Sequence, residues 1–166
     1  MNSVIENLLE TRKYLIDEIK SLTHEEFNRK PGSDQWSVAE VCHHLVILET
    51  RTAMLIQHLV KQPDHKKVEP KPIHLATDRS KKFNAPESVQ PSGEPFEIKQ
   101  MLEMLTDARD GLMKVLESIE DQNVLMEISA AHPVFGELPL SQWVELIGLH
   151  EQRHIEQIEE IKQFVL

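Results

Sequence analysis

Residues 141–165, "SQWVELIGLHEQRHIEQIEEIKQFV", are the stretch of this sequence that decides the fold. Apolar side chains recur there every three or four residues, a spacing that places them on one face of an α-helix. His150 and His154 fall within the same apolar stripe, whose other members are Leu140, Trp143, Ile147, Ile158, Ile161 and Val165. The pattern predicts a long helix from about residue 141 to 165, with Ser141 as its N-cap and two imidazoles on its buried face.

Three further helices are predicted upstream of this one. Apolar residues at helical spacing extend over about residues 2–22, 37–61 and 96–120. The second of these helices begins with a capping box, because Ser37 is followed three residues later by Glu40. The chain has few glycines and aromatic residues and many leucines, glutamates and lysines, which favour helices over strands. We therefore expect an all-α protein.

The simplest architecture for four amphipathic helices is a four-helix bundle, which buries all their apolar faces together. A chain of 166 residues has the length of one domain, so we expect residues 1–166 to form a single up-and-down bundle. In that order the second and fourth helices run parallel. A long connector (residues 63–95) separates the second helix from the third and holds six of the nine prolines. A connector of this length is usually functional or mobile.

The composition disfavours several classes of partner. The formal net charge of −10 argues against nucleic acid and anionic membranes, which both require a basic surface. The first residues, "MNSVIENLLE", lack the basic start and apolar run of a signal peptide, and no window approaches the ~20 apolar residues of a membrane span. We expect a cytoplasmic protein. Cys42 is the only cysteine, so an internal disulfide is impossible, and its apolar neighbours predict a buried, inert thiol.

The spacing of His150 and His154 is compatible with a metal site. Side chains four residues apart on a helix lie about 5 to 6 Å apart at Cβ and can bind one ion. Without a metal, each imidazole would need its own carboxylate or carbonyl partner, since an unpaired buried polar group costs on the order of 1 to 3 kcal/mol. A third ligand is available on the second helix, where periodicity does not choose between His43 and His44. If the second and fourth helices are parallel, the histidines lie at compatible depths.

The residues "HEQRH" also have the HExxH form of zinc proteases, but other features of the sequence argue against that function. The common enzymes of this class take a third metal ligand from a position after the motif, whereas only twelve residues follow His154 and they continue the same helix. Glu151 is rotated about 100° from His150 around the helix. We therefore expect Glu151 at the surface, with Glu156, Glu159 and Glu160, rather than as a general base.

Two segments carry a resemblance to a known family. They are "QWSVAEVCHHLVILE" (residues 35–49) and "HPVFGELPLSQWVELIGLHEQRHIEQI" (residues 132–158). With the order of the helices, they make the chain similar to the DinB/YfiT-like superfamily of small metal-binding four-helix bundles, over nearly its whole length. In that family one metal ligand is the histidine immediately before a leucine in the first segment, and the other two are an HxxxH pair. The resemblance implies that the metal ligands are His44, His150 and His154.

The same resemblance implies a class of activity. Members of the family include thiol S-transferases that use bacillithiol or mycothiol, a maleylpyruvate isomerase and metal-dependent hydrolases. We therefore expect a divalent ion, zinc or nickel, and a low-molecular-weight thiol S-transferase with bacillithiol as co-substrate. A metal-dependent hydrolase of a small amide or ester is the first alternative. A bundle that binds a metal or small ligand without turnover, as a homodimer, is the second.

Two further residues are candidates for assisting such a site, although no catalytic residue is assigned. His132 could reach the mouth of the pocket as a general acid or base, but we expect an exposed loop histidine. Gln157, one turn beyond His154 on the same helix, could orient one of the ligands or could be an ordinary glutamine on the helix face. The remaining histidines are expected in loops or at the surface; they are His24, His58, His65 and His74.

Overall fold

Four long helices dominate the computed structural model, which describes residues 1–166. They are α1 (Asn2–Ile19), α3 (Val38–Leu59), α4 (Ile98–Glu117) and α6 (Leu140–Val165), with two short helices, α2 (His24–Asn28) and α5 (Val124–Glu127), between them. The expected four-helix bundle is therefore confirmed, in a chain that is mostly helical. None of the helices combines the length and the hydropathy that crossing a membrane requires.

The helix boundaries follow the capping residues. The capping box at Ser37 is confirmed, because its hydroxyl accepts from the Glu40 amide while the Glu40 carboxylate accepts from the Ser37 amide. A second capping box, at Thr23, begins α2, so α1 ends at Ile19 rather than near residue 22. The predicted cap at Ser141 is wrong. Because α6 already begins at Leu140, after Pro139, Ser141 lies inside the helix.

The directions of the helices can be seen from the two main core clusters. One cluster joins the C-terminal ends of α1 and α6 to the N-terminal ends of α3 and α4, through Leu15, Ile19, Val41, Leu45, Met101, Leu105, Ile158 and Ile161. The other joins the opposite ends of the same helices, through Leu8, Ala53, Ile56, Leu112, Leu116, Leu140 and Val144. Therefore α1 and α6 run in one direction, and α3 and α4 run in the other.

This order differs from the up-and-down arrangement that we expected. The consecutive long helices α3 and α4 are parallel, so the chain must return along the whole bundle between them. The 22 residues of α3 span about 33 Å at 1.5 Å per residue, which only a long link can cover. The second and fourth long helices, α3 and α6, are antiparallel rather than parallel. The expectation that their histidines meet by starting from the same end of the bundle is wrong.

The connector (residues 63–95) is fixed to α6 at several points. It contains two short 3-10 turns, Ile73–Thr77 and Glu87–Val89. The Gln142 side chain bonds both backbone groups of Lys71, at 2.9 and 2.7 Å. The Arg153 guanidinium donates to three carbonyl oxygens of the connector, those of Ala76, Asp78 and Lys81. These contacts lie beside the part of α6 that carries the two histidines.

A β-hairpin, absent from the all-α expectation, precedes α6. Strand β1 (Ser129–His132) pairs antiparallel with β2 (Gly136–Pro139). The three-residue turn closes through Gly136, whose φ of 70° lies in the left-handed region that glycine adopts without strain. Leu138 of β2 packs with Ile73 and Leu146 in a small third cluster, so the hairpin helps to hold the connector against α6.

Candidate metal centre

Three imidazoles meet inside the bundle, one from α3 and two from α6. They belong to His44, His150 and His154, and one nitrogen from each lies within 4.8 Å of the other two. His150 Nε2 is 3.0 Å from His154 Nε2 and 3.4 Å from His44 Nε2. His44 and His154 are only 3% and 8% exposed, whereas His150 is half-buried. Of the three residues, His150 therefore keeps the largest exposed fraction, although its Nδ1 is buried.

The opposite ring nitrogens of two histidines are held by oxygen acceptors. His44 Nδ1 lies 2.6 Å from the Val89 carbonyl oxygen in the connector, and His154 Nδ1 lies 2.7 Å from Gln157 Oε1. Because a carbonyl oxygen only accepts, each Nδ1 carries the proton and donates it. Each Nε2 then carries no proton, and its lone pair points toward the other imidazoles. This pattern of an oxygen acceptor behind the ligand is typical of metal-binding histidines.

The geometry of the cluster fits a divalent metal ion. Nitrogens that bind one ion at about 2.0 to 2.1 Å lie roughly 2.9 to 3.4 Å apart at octahedral or tetrahedral angles. The two separations from His150 Nε2 agree with that range, and the third pair, from His44 and His154, lies within 4.8 Å. The Nε2 lone pairs of His44 and His154 both face His150 Nε2, so a cation or the N–H proton of His150 must lie between them to offset their repulsion. His150 Nδ1 is buried and has no partner within the protein, so no acceptor fixes the tautomer of this imidazole as Val89 and Gln157 do for the other two.

Burial keeps all three imidazoles neutral near pH 7. It lowers the pKa of His154 to about 3 and the pKa of His150 well below its ordinary value of 6.5, and it also lowers the pKa of His44. Other histidines of the cluster contribute to the shifts of His150 and His154, because a second positive charge there would be repelled, whereas for His44 the contributing histidine is His43. A neutral imidazole is the form that binds a metal, so the cluster needs no deprotonation before it can do so.

The adjacent residues on α3 point to other parts of the molecule. His43, which periodicity did not distinguish from His44, accepts from the Ser92 amide at 2.9 Å, and its ring packs on Phe96. Cys42 is fully buried, as predicted, and burial raises the pKa of its thiol to about 12.

Trp36, just before α3, was not expected near the site, yet its ring lies 5.1 Å from the His44 ring and 6.5 Å from the His154 ring.

The remaining residues considered for the site, Gln157 and His132, lie in different surroundings. The placement of Gln157 beside a ring nitrogen of His154 is confirmed. His132 is half-buried at the end of β1, where its Nδ1 accepts from the Val134 amide and its ring packs on Trp143. The expectation of an exposed loop histidine is therefore wrong. The four histidines expected away from the site are exposed; they are His24, His58, His65 and His74.

Glu151 is the largest error among the predicted positions. It is 1% exposed, and its carboxylate is bound by Arg12, Arg109 and the Thr11 hydroxyl. It belongs to a charge tetrad, which consists of Arg12, Glu49, Arg109 and Glu151. Each member lies three or four residues from apolar core positions of its own helix, for example Arg12 between Leu8 and Leu15. That spacing was the available signal for burial.

Sequence comparison places the chain among known proteins. The model of the DinB superfamily matches residues 7–158. The uncharacterized protein YuaE from Bacillus subtilis (strain 168) is 34% identical over 154 residues, which cover 93% of this chain and 94% of that protein. The match extends over all four long helices, so it concerns the whole fold rather than one motif.

Two solved structures share the fold of this chain. The four-helix bundle protein TT2238 aligns with a TM-score of 0.66 and 19% identity, over 96% of this chain and 98% of its own. YfiT from Bacillus subtilis, described as a probable metal-dependent hydrolase with an unusual four-helix bundle topology, aligns with a TM-score of 0.66 and 17% identity, over 98% and 85% of the two chains. At these identities the similarity concerns the fold. With the family match and the relationship to YuaE, it leads to one conclusion: this chain belongs to the DinB superfamily.

Proposed function

We propose that this protein is a metal-dependent enzyme in which His44, His150 and His154 bind one divalent ion, zinc or nickel, and that it acts on a small molecule in the cytoplasm. The observation that carries the proposal is the convergence of three Nε2 atoms while the Nδ1 atoms of His44 and His154 are held by oxygen acceptors. Imidazole nitrogen suits zinc and nickel equally, so the residues do not favour either metal.

Three protein ligands leave at least one coordination position open, which is typical of catalytic rather than structural metal sites. When bound, the ion would lower the pKa of a thiol or a water at that position, so that either becomes a nucleophile at neutral pH. The protein's own part is to hold three neutral imidazoles and to exclude water from two of them. His150 is the least buried of the three residues, and we propose that a substrate approaches from its side.

The reaction that we propose is transfer of a low-molecular-weight thiol of the bacillithiol type to a small electrophile. The thiol loses its proton to solvent, and its sulfur forms a bond to carbon as the bond from that carbon to the leaving group, such as chloride, breaks. The leaving group departs with the electron pair of the broken bond. Support for this choice comes from the family, whose members include such transferases.

Hydrolysis of a small amide or ester is the second candidate. One observation favours it: YfiT, whose fold is similar over 98% of this chain, is described as a probable metal-dependent hydrolase. The same three imidazoles would serve both reactions. The difference lies in whether a thiol or a water occupies the open position, and therefore in which substrate the accessible side of the cluster admits.

The proposal is tested by metal analysis of the untagged protein and by two assays. The first assay supplies bacillithiol with a chlorinated acceptor and detects the thioether, and the second supplies small amides and esters. We expect about one zinc or nickel per chain and formation of the thioether. Hydrolysis without thioether formation would favour the second candidate, and metal with neither reaction would leave a non-catalytic binding protein.

A matched pair of variants separates the metal site from its surroundings. His44→Ala should abolish metal binding and activity while the helical circular dichroism signal stays intact. His43→Ala, on the adjacent residue that contacts Ser92 and Phe96 instead, should retain the metal. Equal metal content in both variants would refute the ligand assignment, and unfolding of His44→Ala alone would indicate a structural metal.

A further inference from the structure

The charge tetrad lies at the centre of the bundle and links all four long helices. Its members are 1% to 6% exposed, with Arg12 on α1, Glu49 on α3, Arg109 on α4 and Glu151 on α6. Two arginines and two glutamates make the group electrically neutral. Nothing in the proposed reaction uses these charges, so their burial needs a separate explanation.

Each arginine bridges the same two carboxylates. Arg12 contacts Glu49 at 2.5 Å and Glu151 at 2.6 Å, and Arg109 contacts Glu49 at 2.5 Å and Glu151 at 3.1 Å. Each guanidinium also donates to a backbone carbonyl of the opposite helix, from Arg12 to Leu105 and from Arg109 to Leu8. The two arginines therefore hold the two carboxylates, and the backbones of α1 and α4, in one rigid arrangement.

The two acidic members lie on the helices that carry the histidines. Glu49 is five residues after His44 on α3, and Glu151 directly follows His150 on α6. The two basic members lie on α1 and α4, which contribute no histidine to the cluster. The arginines thus join the segment of α3 that bears one imidazole to the segment of α6 that bears the other two.

A small rotation of α6 would be enough to destroy a three-histidine site. Turning the helix by about 15° moves a side-chain tip, about 6 Å from the axis, by roughly 1.5 Å. That displacement is several times the tolerance of about 0.2 Å on metal–ligand distances. The same rotation would pull Glu151 away from both arginines. Apolar packing has no comparable directional requirement, because dispersion contacts can re-form after a small shift.

Stability alone does not explain the tetrad. Buried ion pairs pay a desolvation penalty, and replacing them with apolar residues of similar volume often leaves a protein equally or more stable. Their best-attested use is to specify one arrangement of helices over alternatives. The position of these charges, next to His150 on α6 and five residues after His44 on α3, matches that use.

We infer that the charge tetrad is a positioning device for the metal site: Arg12 and Arg109 fix the rotation and height of α6 against α3, so that His150 and His154 meet His44. The inference rests on the proposed metal site. It assigns a role to residues on α1 and α4 that touch neither a ligand nor the ion. Arg109 is the sharpest probe, because its effect on the metal must pass through Glu49 and Glu151.

The test compares Arg109→Met with Leu112→Ala, a core substitution one turn later on the same helix. Both variants should lower the stability of the metal-free protein. Zinc affinity, measured by competition with a chromophoric chelator, should fall at least tenfold in Arg109→Met and less than threefold in Leu112→Ala. Arg109→Lys keeps the charge but not the forked geometry, so its zinc affinity should lie between those of wild type and Arg109→Met. The visible spectrum of the cobalt-substituted protein should change in Arg109→Met only.

Thr11→Val provides a milder test if Arg109→Met does not fold. It removes the hydroxyl that donates to Glu151 Oε2 at 2.5 Å, and zinc affinity should fall at least threefold. Zinc affinity within threefold of wild type in a folded Arg109→Met, or an equal loss in Leu112→Ala, would overturn the inference. If wild type itself binds no zinc, nickel or cobalt, the proposed function fails instead, so the two failures are distinguishable.

Discussion

The orientation of each imidazole depends on a neighbour that is itself outside the cluster. Val89 supplies its carbonyl oxygen to His44, and Gln157 supplies its amide oxygen to His154, whereas His150 Nδ1 has no partner within the protein. These acceptors fix which nitrogen carries the proton and direct the other nitrogen toward the neighbouring imidazoles. At the scale of single residues, the site therefore includes the connector as well as two helices.

Gln157→Leu tests the contribution of such an acceptor. The substitution removes the oxygen that holds His154 Nδ1 at 2.7 Å, so His154 can rotate and adopt the other tautomer. We expect metal affinity to fall about 10-fold to 100-fold, the usual effect of losing such a partner. Competition titration measures the affinity, and Glu156→Gln, at the exposed neighbouring position, is the control. Equal affinities in the two variants would contradict the assigned role.

The buried histidines also predict a pH dependence for the metal-free protein. In the unfolded chain their pKa values are about 6.5, whereas in the folded chain the pKa of His154 is lowered to about 3 and that of His150 lies well below 6.5. Between these limits the unfolded state binds more protons, so stability rises with pH. We expect the free energy of unfolding to be at least about 2 kcal/mol lower at pH 5 than at pH 7.5.

Urea denaturation at several pH values measures this dependence. His154→Gln removes one of the buried groups and should flatten the pH profile between pH 5 and 7. His58→Gln changes an exposed histidine and should leave the profile as it is in wild type. An identical slope in all three proteins would show that other groups cause the loss of stability.

Residue positions were predictable to the extent that a periodic pattern or a motif constrained them. The HxxxH pair was identified from its place in an apolar stripe, while the choice of His44 over His43 came from the family motif and not from helical phase. Glu151 was wrongly expected at the surface, because its charge was given more weight than its position in the helical repeat. A carboxylate is buried when arginines from other helices reach it, and one helix considered alone does not show those partners.

At the scale of secondary-structure elements, the capping box that begins α3 sets where His44 lies. Ser37→Ala removes one of the two reciprocal bonds and leaves the Glu40 amide without its acceptor. We expect the free energy of unfolding to fall by about 1 kcal/mol, the usual cost of losing such a cap. Chemical denaturation measures the change, with Ser33→Ala at an exposed position as the control. A loss no larger than that of the control would contradict the capping role.

Two helical glycines, one in α4 and one in α6, differ in the space available for an added side chain. Gly111 of α4 has open space where a side chain would be, so Gly111→Ala should raise the free energy of unfolding by about 0.5 to 1 kcal/mol. In Gly148→Ala of α6, the added Cβ would lie 2.5 Å from Asn7 Nδ2 and disturb the bond from Gln152 to Asn7. We expect Gly148→Ala to raise the free energy of unfolding by less than Gly111→Ala does, or to lower it. Equal gains at both positions in thermal unfolding would contradict the close packing of α1 on α6.

The long helices were predictable because each contains several turns of apolar periodicity, and the error at their ends was only a few residues. The short elements carry no such signal. The strands β1 and β2 have four residues each and α2 has five, too few for a repeat to distinguish them from a loop. These elements are held by contacts with distant residues, such as Leu138 of β2 with Ile73 of the connector.

At the scale of the whole molecule, the four helices and the long connector were predictable but the helix directions were not. An amphipathic pattern shows which face of a helix is buried, and it is the same for either direction of the helix. The connector contained the missing information, since a link of more than 30 residues permits parallel neighbours where a short loop does not. Its length is explained by the return from the end of α3 to the start of α4.

The parallel pair α3 and α4, the antiparallel pair α3 and α6, and the charge tetrad between them together form one scaffold for three imidazoles. The most direct test of this account is a crystal structure of the zinc-loaded protein, with anomalous diffraction data recorded at the zinc edge. We predict one anomalous peak about 2.0 to 2.1 Å from the Nε2 atoms of His44, His150 and His154. A zinc-loaded crystal with no peak between these residues, or with their imidazoles turned apart, would contradict the account.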